Sequence, residues 1–328
     1  VLIVMVWSSD EKSLVGVFPL EEKHGYHHLP IHYYSLWRHI HCFLCTPLIR
    51  VGCEQECLST FFAWLSQQSQ GRFVFRFEHI ASEGPFYVQL KRFAEENNLE
   101  IEVLEQYERP VLKSNGDGEG YLRRAISSKH LKDIKKKSAK LAMIGAVQYR
   151  KFTKSDGLSE WIDSFLKLEE SGWKGVEGTA MAHRGNEKHF FQKITENAAN
   201  AETLMLFMMT LDNKPIAMRC GFKSGDGVFS FKIAYDEAYA QYSPGVLLEI
   251  EHLRQIQVQT DIHWVDSFAQ PEHTMLKRLW IERRQITSIA MSLDNLMGKS
   301  LVSTVIKLKN IRSMITAEPS ILLNNNAS

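Results

Sequence analysis

The chain is short of cysteine, of long apolar runs and of any excess of charge. Five Cys in 328 residues is an odd, low count, which excludes a disulfide scaffold and predicts a reducing compartment. The longest apolar runs, residues 1–7 and 204–211, have the length of buried strands, far below the ~20 residues of a membrane-spanning helix. Thirty-nine Lys and Arg face 38 Asp and Glu, so the net charge of +1 gives no global field for a generic nucleic-acid binder. Nineteen Gly and nine Pro exclude collagen-like and low-complexity sequence, and 44% hydrophobic residues exclude disorder as the main state. The sequence begins at Val1 without an initiator Met, inside an apolar run, and reads as truncated at its front. A soluble cytoplasmic protein of about two domains is expected.

The apolar spacing predicts a hairpin over 1–7 and 14–20, then a His- and aromatic-rich connection and an extended stretch over 42–51. A helix over 57–69, a strand over 72–80, a helix over 87–97 and a strand over 101–104 follow. The run KSNGDGEG (113–120) has three Gly and is the best domain boundary. Beyond it, 121–144 reads as one long basic helix, 146–152 as a strand, and 158–172 and 186–199 as helices. Strands over 203–211, 216–222 and 228–235 form a meander with tight turns. A helix over 246–259, a strand over 262–268, a helix over 272–280 and a strand over 285–293 close the second unit. A terminal helix over 295–315 leads to a polar tail expected to be disordered. The pattern predicts an α/β fold with a mixed, mostly antiparallel sheet, repeated in abbreviated form in the first half.

The most informative stretch runs from Phe229 to Leu253. A strand ends at Tyr235, a polar loop follows, and Ser243, Pro244 and Gly245 open an apolar helix. Ser243 is a good N-cap, and Pro244 stands where its missing N–H costs nothing. Gly245 leaves the helix start open to close approach. Two readings stand: a well-capped helix, or an anion site suited to pyrophosphate at the positive end of the helix dipole.

The run FKIAYDEAYAQYSPGVLLEIEHL (231–253) resembles the central motif of the acetyltransferase domain in CelD-type cellulose-biosynthesis proteins. These are members of the GNAT superfamily and relatives of FemAB-type aminoacyltransferases. The basic stretch 121–145, the SGWKG (171–175) and GTA (178–180) pieces, and WVDSF (264–268) with Lys277 and Trp280 resemble further parts of that pattern in the same order. Residues 14–20 and HCFLCTPLIR (41–50) resemble its N-terminal part. The resemblance implies two GNAT-like units: a degenerate one over 1–112 and the acyltransferase domain over 113–294, with 295–328 as terminal helix and tail. It implies direct transfer of an acyl group, other than aminoacyl, from acetyl-CoA or another acyl-CoA to an amine or hydroxyl of a sugar or envelope precursor. No metal is implied. Aminoacyl-tRNA-dependent transfer of the FemAB type and a non-catalytic accessory role in exopolysaccharide synthesis are the alternatives.

On this resemblance the donor lies against Ile233, Ala234 and Tyr235, and its pyrophosphate over Tyr242, Ser243, Pro244, Gly245 and Val246. Asp266 interrupts an apolar run at a strand's end, which fits either a general base or a salt bridge to Lys277. Asp236 is a further candidate base, although it reads with Glu237 as solvated loop. Tyr235 and Tyr242 are candidate proton donors or buried packing. Trp173 and Lys174, in a Gly-punctuated loop, and Lys277 are candidates for the acceptor pocket, with Trp173 as a core plug the other reading. Cys220, mid-strand, reads as packing.

Two other signals compete. Cys42, Cys45, Cys53 and Cys57 lie near His39 and His41, but a strand over 42–51 would point Cys42 and Cys45 to opposite faces. No metal site is expected there, and the His-rich stretch reads as a polar surface connection. Eight Lys/Arg (Arg123, Arg124, Lys129, Lys132, Lys135, Lys136, Lys137 and Lys140) stand against Asp133 alone. That stripe is a solvated helix face or a contact for tRNA or an anionic surface.

Overall fold

Alternating and helical apolar spacings resolve into the following elements in the computed structural model, which describes residues 1–26, 29–68, 73–152, 157–270, 273–293 and 300. A meander of β1 (Leu2–Trp7), β2 (Leu14–Tyr26) and β3 (Leu29–Leu36) precedes the short β4 (Leu48–Ile49). Then come α1 (Glu54–Gln67), β5 (Val74–Ala81), α2 (Pro85–Glu96) and β6 (Ile101–Lys113). Helices α3 (Gly118–Ala125) and α4 (Ser128–Ala142) lead to β7 (Val147–Phe152). Helices α5 (Leu158–Glu170), α6 (Trp173–Val176) and α7 (Gly185–Asn200) follow. A second meander of β8 (Leu204–Leu211), β9 (Lys214–Ser224) and β10 (Gly227–Tyr235) runs into α8 (Pro244–Gln257). The last elements are β11 (Trp264–Asp266), α9 (Thr274–Leu279) and β12 (Glu282–Ser292).

The chain divides into two compact units, Val1–Glu108 with Arg284–Ser328, and Arg109–Arg283. In the first, β1, β2 and β3 pair antiparallel, β5 joins β3 in parallel, and β12 joins β5 antiparallel. Its core is aromatic: α1 lays Leu58, Phe61, Phe62 and Leu65 on the sheet, and Phe61 stacks on Phe18 with ring centroids 3.9 Å apart. In the second, β7, β8, β9 and β10 pair antiparallel, β11 joins β10 in parallel, and residues 111–113 of β6 join β11 antiparallel. Both units therefore run meander, helix, then a strand parallel to the meander's third strand. The class is the mixed, mostly antiparallel α/β expected.

Several elements differ from the sequence reading. Part of the His-rich connection is strand: in β3, Tyr33 and Ser35 are buried while His32 is exposed and Tyr34 half-buried, so alternation was present under the polar composition. The extended stretch over 42–51 shrinks to β4, and Cys42 sits in a turn, where its Sγ accepts the N–H of His39 at 3.4 Å. Hydrogen bonding with the free thiol of Cys45 is the main cause pulling the Cys42 thiol down to about 6. The single basic helix is two. Ile126 is extended and buried, and Ser127 caps α4 by accepting the N–H of His130 at 3.3 Å. The last strand pairs with β5, which places it with the first unit, and the 113–120 loop falls inside the second. The expected terminal helix over 295–315 and the tail lie outside the described residues, Ser300 excepted. Among the described residues, no helix is long and apolar enough to cross a membrane.

A buried polar cluster fixes α8 to strands β9 and β10 of the second unit. Arg219 of β9 lies 3.0 Å from Glu249 of α8 and donates to His252 Nδ1 and to Ser230 Oγ of β10. Trp280 Nε1 donates to Glu249 Oε1 at 3.2 Å. As an acceptor from Arg219, His252 must be neutral at Nδ1. Burial, and then Arg219, pull its pKa down from 6.5 to about 4. Stability from this residue is complete above 6.5 and is lost as pH falls through 6.5 towards 4, because the unfolded chain takes a proton that the folded one refuses. The expected loss is about 1.4 kcal/mol per pH unit in that window. Denaturant unfolding across the window should show a steeper pH slope for the parent than for His252→Gln, and equal slopes would refute this.

Candidate functional site

The site grows from β10, whose two edges are treated differently. It pairs with β9 along its whole length, with a bulge between Ser230 and Lys232. With β11 it pairs only through Gly227, Val228 and Phe229, opposite Trp264, Val265 and Asp266. The approach is close at its start, where a side chain on Gly227 would collide with the Trp264 indole. Then β11 turns away. Ser267 donates to Pro110 O (3.1 Å), Phe268 donates to Asp266 Oδ1 (2.9 Å), and Phe268 takes a left-handed φ of 53°. The strands thus splay apart. Among the described residues, no strand pairing covers Ile233, Ala234 and Tyr235 on the edge that β11 has left.

The chain then winds through a 3-10 turn, Glu237–Tyr242, into α8. Asp236 starts that turn by accepting the N–H of Ala238 at 3.0 Å, and its other oxygen pairs with Lys214 at 2.9 Å. The expected side-chain cap at Ser243 is not made. Ser243 adopts φ 55°, ψ 54°, and its carbonyl accepts the N–H groups of Val246 and Leu247. Its Oγ instead accepts Lys137 Nζ of α4 at 3.2 Å. A non-glycine residue held left-handed costs on the order of 1 kcal/mol, and such conformations cluster at functional sites. Gly245 lets the helix start close on the strand: a Cβ there would stand 3.3 Å from the Tyr235 ring.

A cleft beside the splayed strand is lined by Ile233, Ala234 and Tyr235, by Leu168 and Glu169 of α5, and by Gly172, Lys174 and Glu237. Glu169 is its buried charge, only 3% exposed. Oε1 accepts Lys174 Nζ at 2.8 Å and lies 3.9 Å from Lys232 Nζ, while Oε2 accepts the N–H of Met181 at 3.0 Å. Burial pushes the Lys232 ammonium down, and Glu169 opposes it. The sequence reading missed Glu169 and Lys232. The available signal was a carboxylate among the apolar positions Phe165, Leu166 and Leu168, which on a buried helix face needs a partner.

Of the predicted residues, Ile233, Ala234, Tyr235 and Lys174 meet at the cleft, and Tyr242, Ser243, Pro244, Gly245 and Val246 form the approach to α8 and its first turn. The side chain of Trp173 lies outside the described residues. Lys277 is exposed on α9 and is not among the cleft residues. Asp266 is fully buried, with Arg109 Nη1 3.4 Å from its Oδ1, so its salt-bridge partner is Arg109 and not Lys277. Cys220 is wholly buried, and burial pushes its thiol up.

Residues 128–273 match the family model described as an acetyltransferase (GNAT) domain. No curated protein matches the chain. Among solved structures, a conserved protein of unknown function from Bacteroides thetaiotaomicron VPI-5482 is similar at 10% identity and a TM-score of 0.54, over 85% of this chain and 83% of that one. FemX is similar at 8% identity and a TM-score of 0.51, over 87% of each chain. At such identities these likenesses speak for the fold. The splayed strands fall inside the GNAT-matched segment, as do α5 and α8.

Asp266→Ala would leave the Arg109 charge buried without its carboxylate, which should cost about 3 kcal/mol or more. Denaturant unfolding measures this, and a loss below about 1 kcal/mol would show that the pair contributes little.

Proposed function

We propose that the second unit is an acyl-CoA-dependent N-acyltransferase, taking acetyl-CoA or a close relative as donor. The acceptor is an amine or hydroxyl of a sugar or envelope precursor. The observation that carries this is the splay of β10 from β11 directly before a helix start that faces Lys137. An extended pantetheine arm carries amide groups that can pair with the vacated edge, as a strand adds to a sheet. The pyrophosphate then falls at residues 243–246, where Lys137 supplies a cation. The match to the GNAT model supports a transferase, and the CelD-type resemblance supports the acceptor class.

In this reading the acceptor nitrogen attacks the thioester carbonyl carbon, and its proton passes to Glu169. The N–H of Tyr235, which alternates onto the edge away from β9, steadies the developing oxyanion. The C–S bond breaks, and the departing thiolate takes a proton from the Tyr235 hydroxyl. Glu169 suits the base better than Asp236 or Asp266 because it lines the cleft and those two do not. Lys174 and Lys232 keep it oriented.

Calorimetric titration with acetyl-CoA should show binding that Lys137→Ala weakens about tenfold. Unchanged affinity in that variant would remove the pyrophosphate site.

Glu169→Gln should keep acetyl-CoA affinity and lower acceptor-dependent thiol release by about a hundredfold. Full turnover in a folded Glu169→Gln protein would exclude it as the base.

A second reading is favoured by α4, whose Lys129, Lys132, Lys135, Lys136 and Lys140 are exposed. A tRNA-linked donor would meet that face, as salt-sensitive tRNA binding without acetyl-CoA binding would show.

A further inference from the structure

The hairpin of β2 and β3 in the first unit gathers three side chains with metal-ligand chemistry that acyl transfer does not use. His24 and His32 stand directly opposite each other across the strands. Glu22 precedes His24 by two residues, so strand alternation puts it on the same face. All three are exposed. The Nδ1 atoms of the two histidines lie 2.8 Å apart, with the rings edge to face at 4.5 Å. One ligating atom from each of Glu22, His24 and His32 falls within 4.8 Å of the others. Lys23 is turned to the other face, where its ammonium pairs with Glu21 at 2.9 Å.

Two imidazole nitrogens at this distance share one proton, one ring donating and the other accepting. A metal ion replaces that proton with two bonds. Zinc–nitrogen bonds of about 2.0–2.1 Å at a tetrahedral angle set their nitrogens about 3.3 Å apart, so the rings need to part by only about 0.5 Å. The carboxylate supplies the third ligand and leaves an ion of net charge about +1 on the strand face. The backbone register holds both histidines before any ion arrives, which lowers the ordering cost of binding.

We propose that Glu22, His24 and His32 form a site for a divalent transition-metal ion, zinc by its ligand set, with the remaining coordination position open to water. Two imidazoles and one carboxylate with an open position are a donor set that zinc accepts. The bound ion ties β2 to β3 across the hairpin.

The test uses the full chain, stripped with chelator and titrated with zinc sulfate in a calorimeter. One ion per chain should bind with micromolar affinity. His24→Ala and His32→Ala should each weaken it at least about tenfold, and Glu22→Gln by less. Melting curves in chelator check that the variants remain folded, which their exposure favours. X-ray absorption of the zinc-loaded protein should show two imidazole nitrogens and oxygen ligands. Absence of saturable binding overturns the proposal, as does binding undiminished in the His24→Ala/His32→Ala double variant.

Discussion

Buried backbone N–H and C=O groups must find partners, and the way β10 meets this constraint organises the second unit. At its start the strand uses both edges, held by β9 on one side and β11 on the other. Beyond Phe229 only β9 pairs with it among the described residues, so Ile233 and Tyr235, which alternate away from β9, present backbone groups to the vacated edge. The opening has a specific cause. Asp266 takes the N–H of Phe268 onto its own carboxylate and is held by Arg109, so β11 ends after three residues. The carboxylate that stands out in the sequence is thus placed where the sheet comes apart.

An open strand edge makes a site only if the following helix is fixed relative to it. The Arg219, Glu249, His252 and Trp280 cluster does this by joining β9, α8 and the end of α9 in one buried hydrogen-bonded set. Breaking such a pair from one side leaves an uncompensated buried charge, so the cluster resists sliding of α8. With α8 held, Gly245 can sit against Tyr235, and Ser243, left-handed, closes the turn by accepting the N–H groups of Val246 and Leu247.

Much of this was legible in the sequence where the information is local. The second meander and helices α5, α7 and α8 follow from apolar spacing, and the strand–loop–helix from Phe231 to Leu253 carries both the splayed edge and the helix start. What was not legible depends on distance or on competition. Glu169 and Lys232 are 63 positions apart, and Asp266 finds Arg109 across 157 residues, so no spacing rule joins them. Lys137 looked like one cation in a stripe of eight. Ser243 has the composition of a cap, yet its hydroxyl goes to Lys137. The stretch 121–144 read as one helix because Leu131, Ile134 and Leu141 share a face, but a buried, extended Ile126 followed by Ser127 gives a break and a fresh cap. Composition hid β3, since His and Tyr obscured the period of two.

The start of α8 offers few backbone donors for an anion. Pro244 has no N–H, and Val246 and Leu247 give theirs to Ser243 O, so Gly245 is the first-turn residue whose N–H these bonds leave aside. A helix dipole alone contributes about 0.3–1 kcal/mol towards an exposed anion. A hydrogen bond from a cation contributes about 1.5–3 kcal/mol, so on the proposed reading Lys137 would attract the pyrophosphate more strongly than the dipole does. On that reading helix α4 does here what a glycine-rich loop does elsewhere: it brings a donor, Lys137, to a turn whose own backbone has been used. Breaking the basic stretch into α3 and α4 at Ser127 gives α4 its own start and direction, and so allows that reach. The proline at 244 and the added basic helix are then two parts of one arrangement.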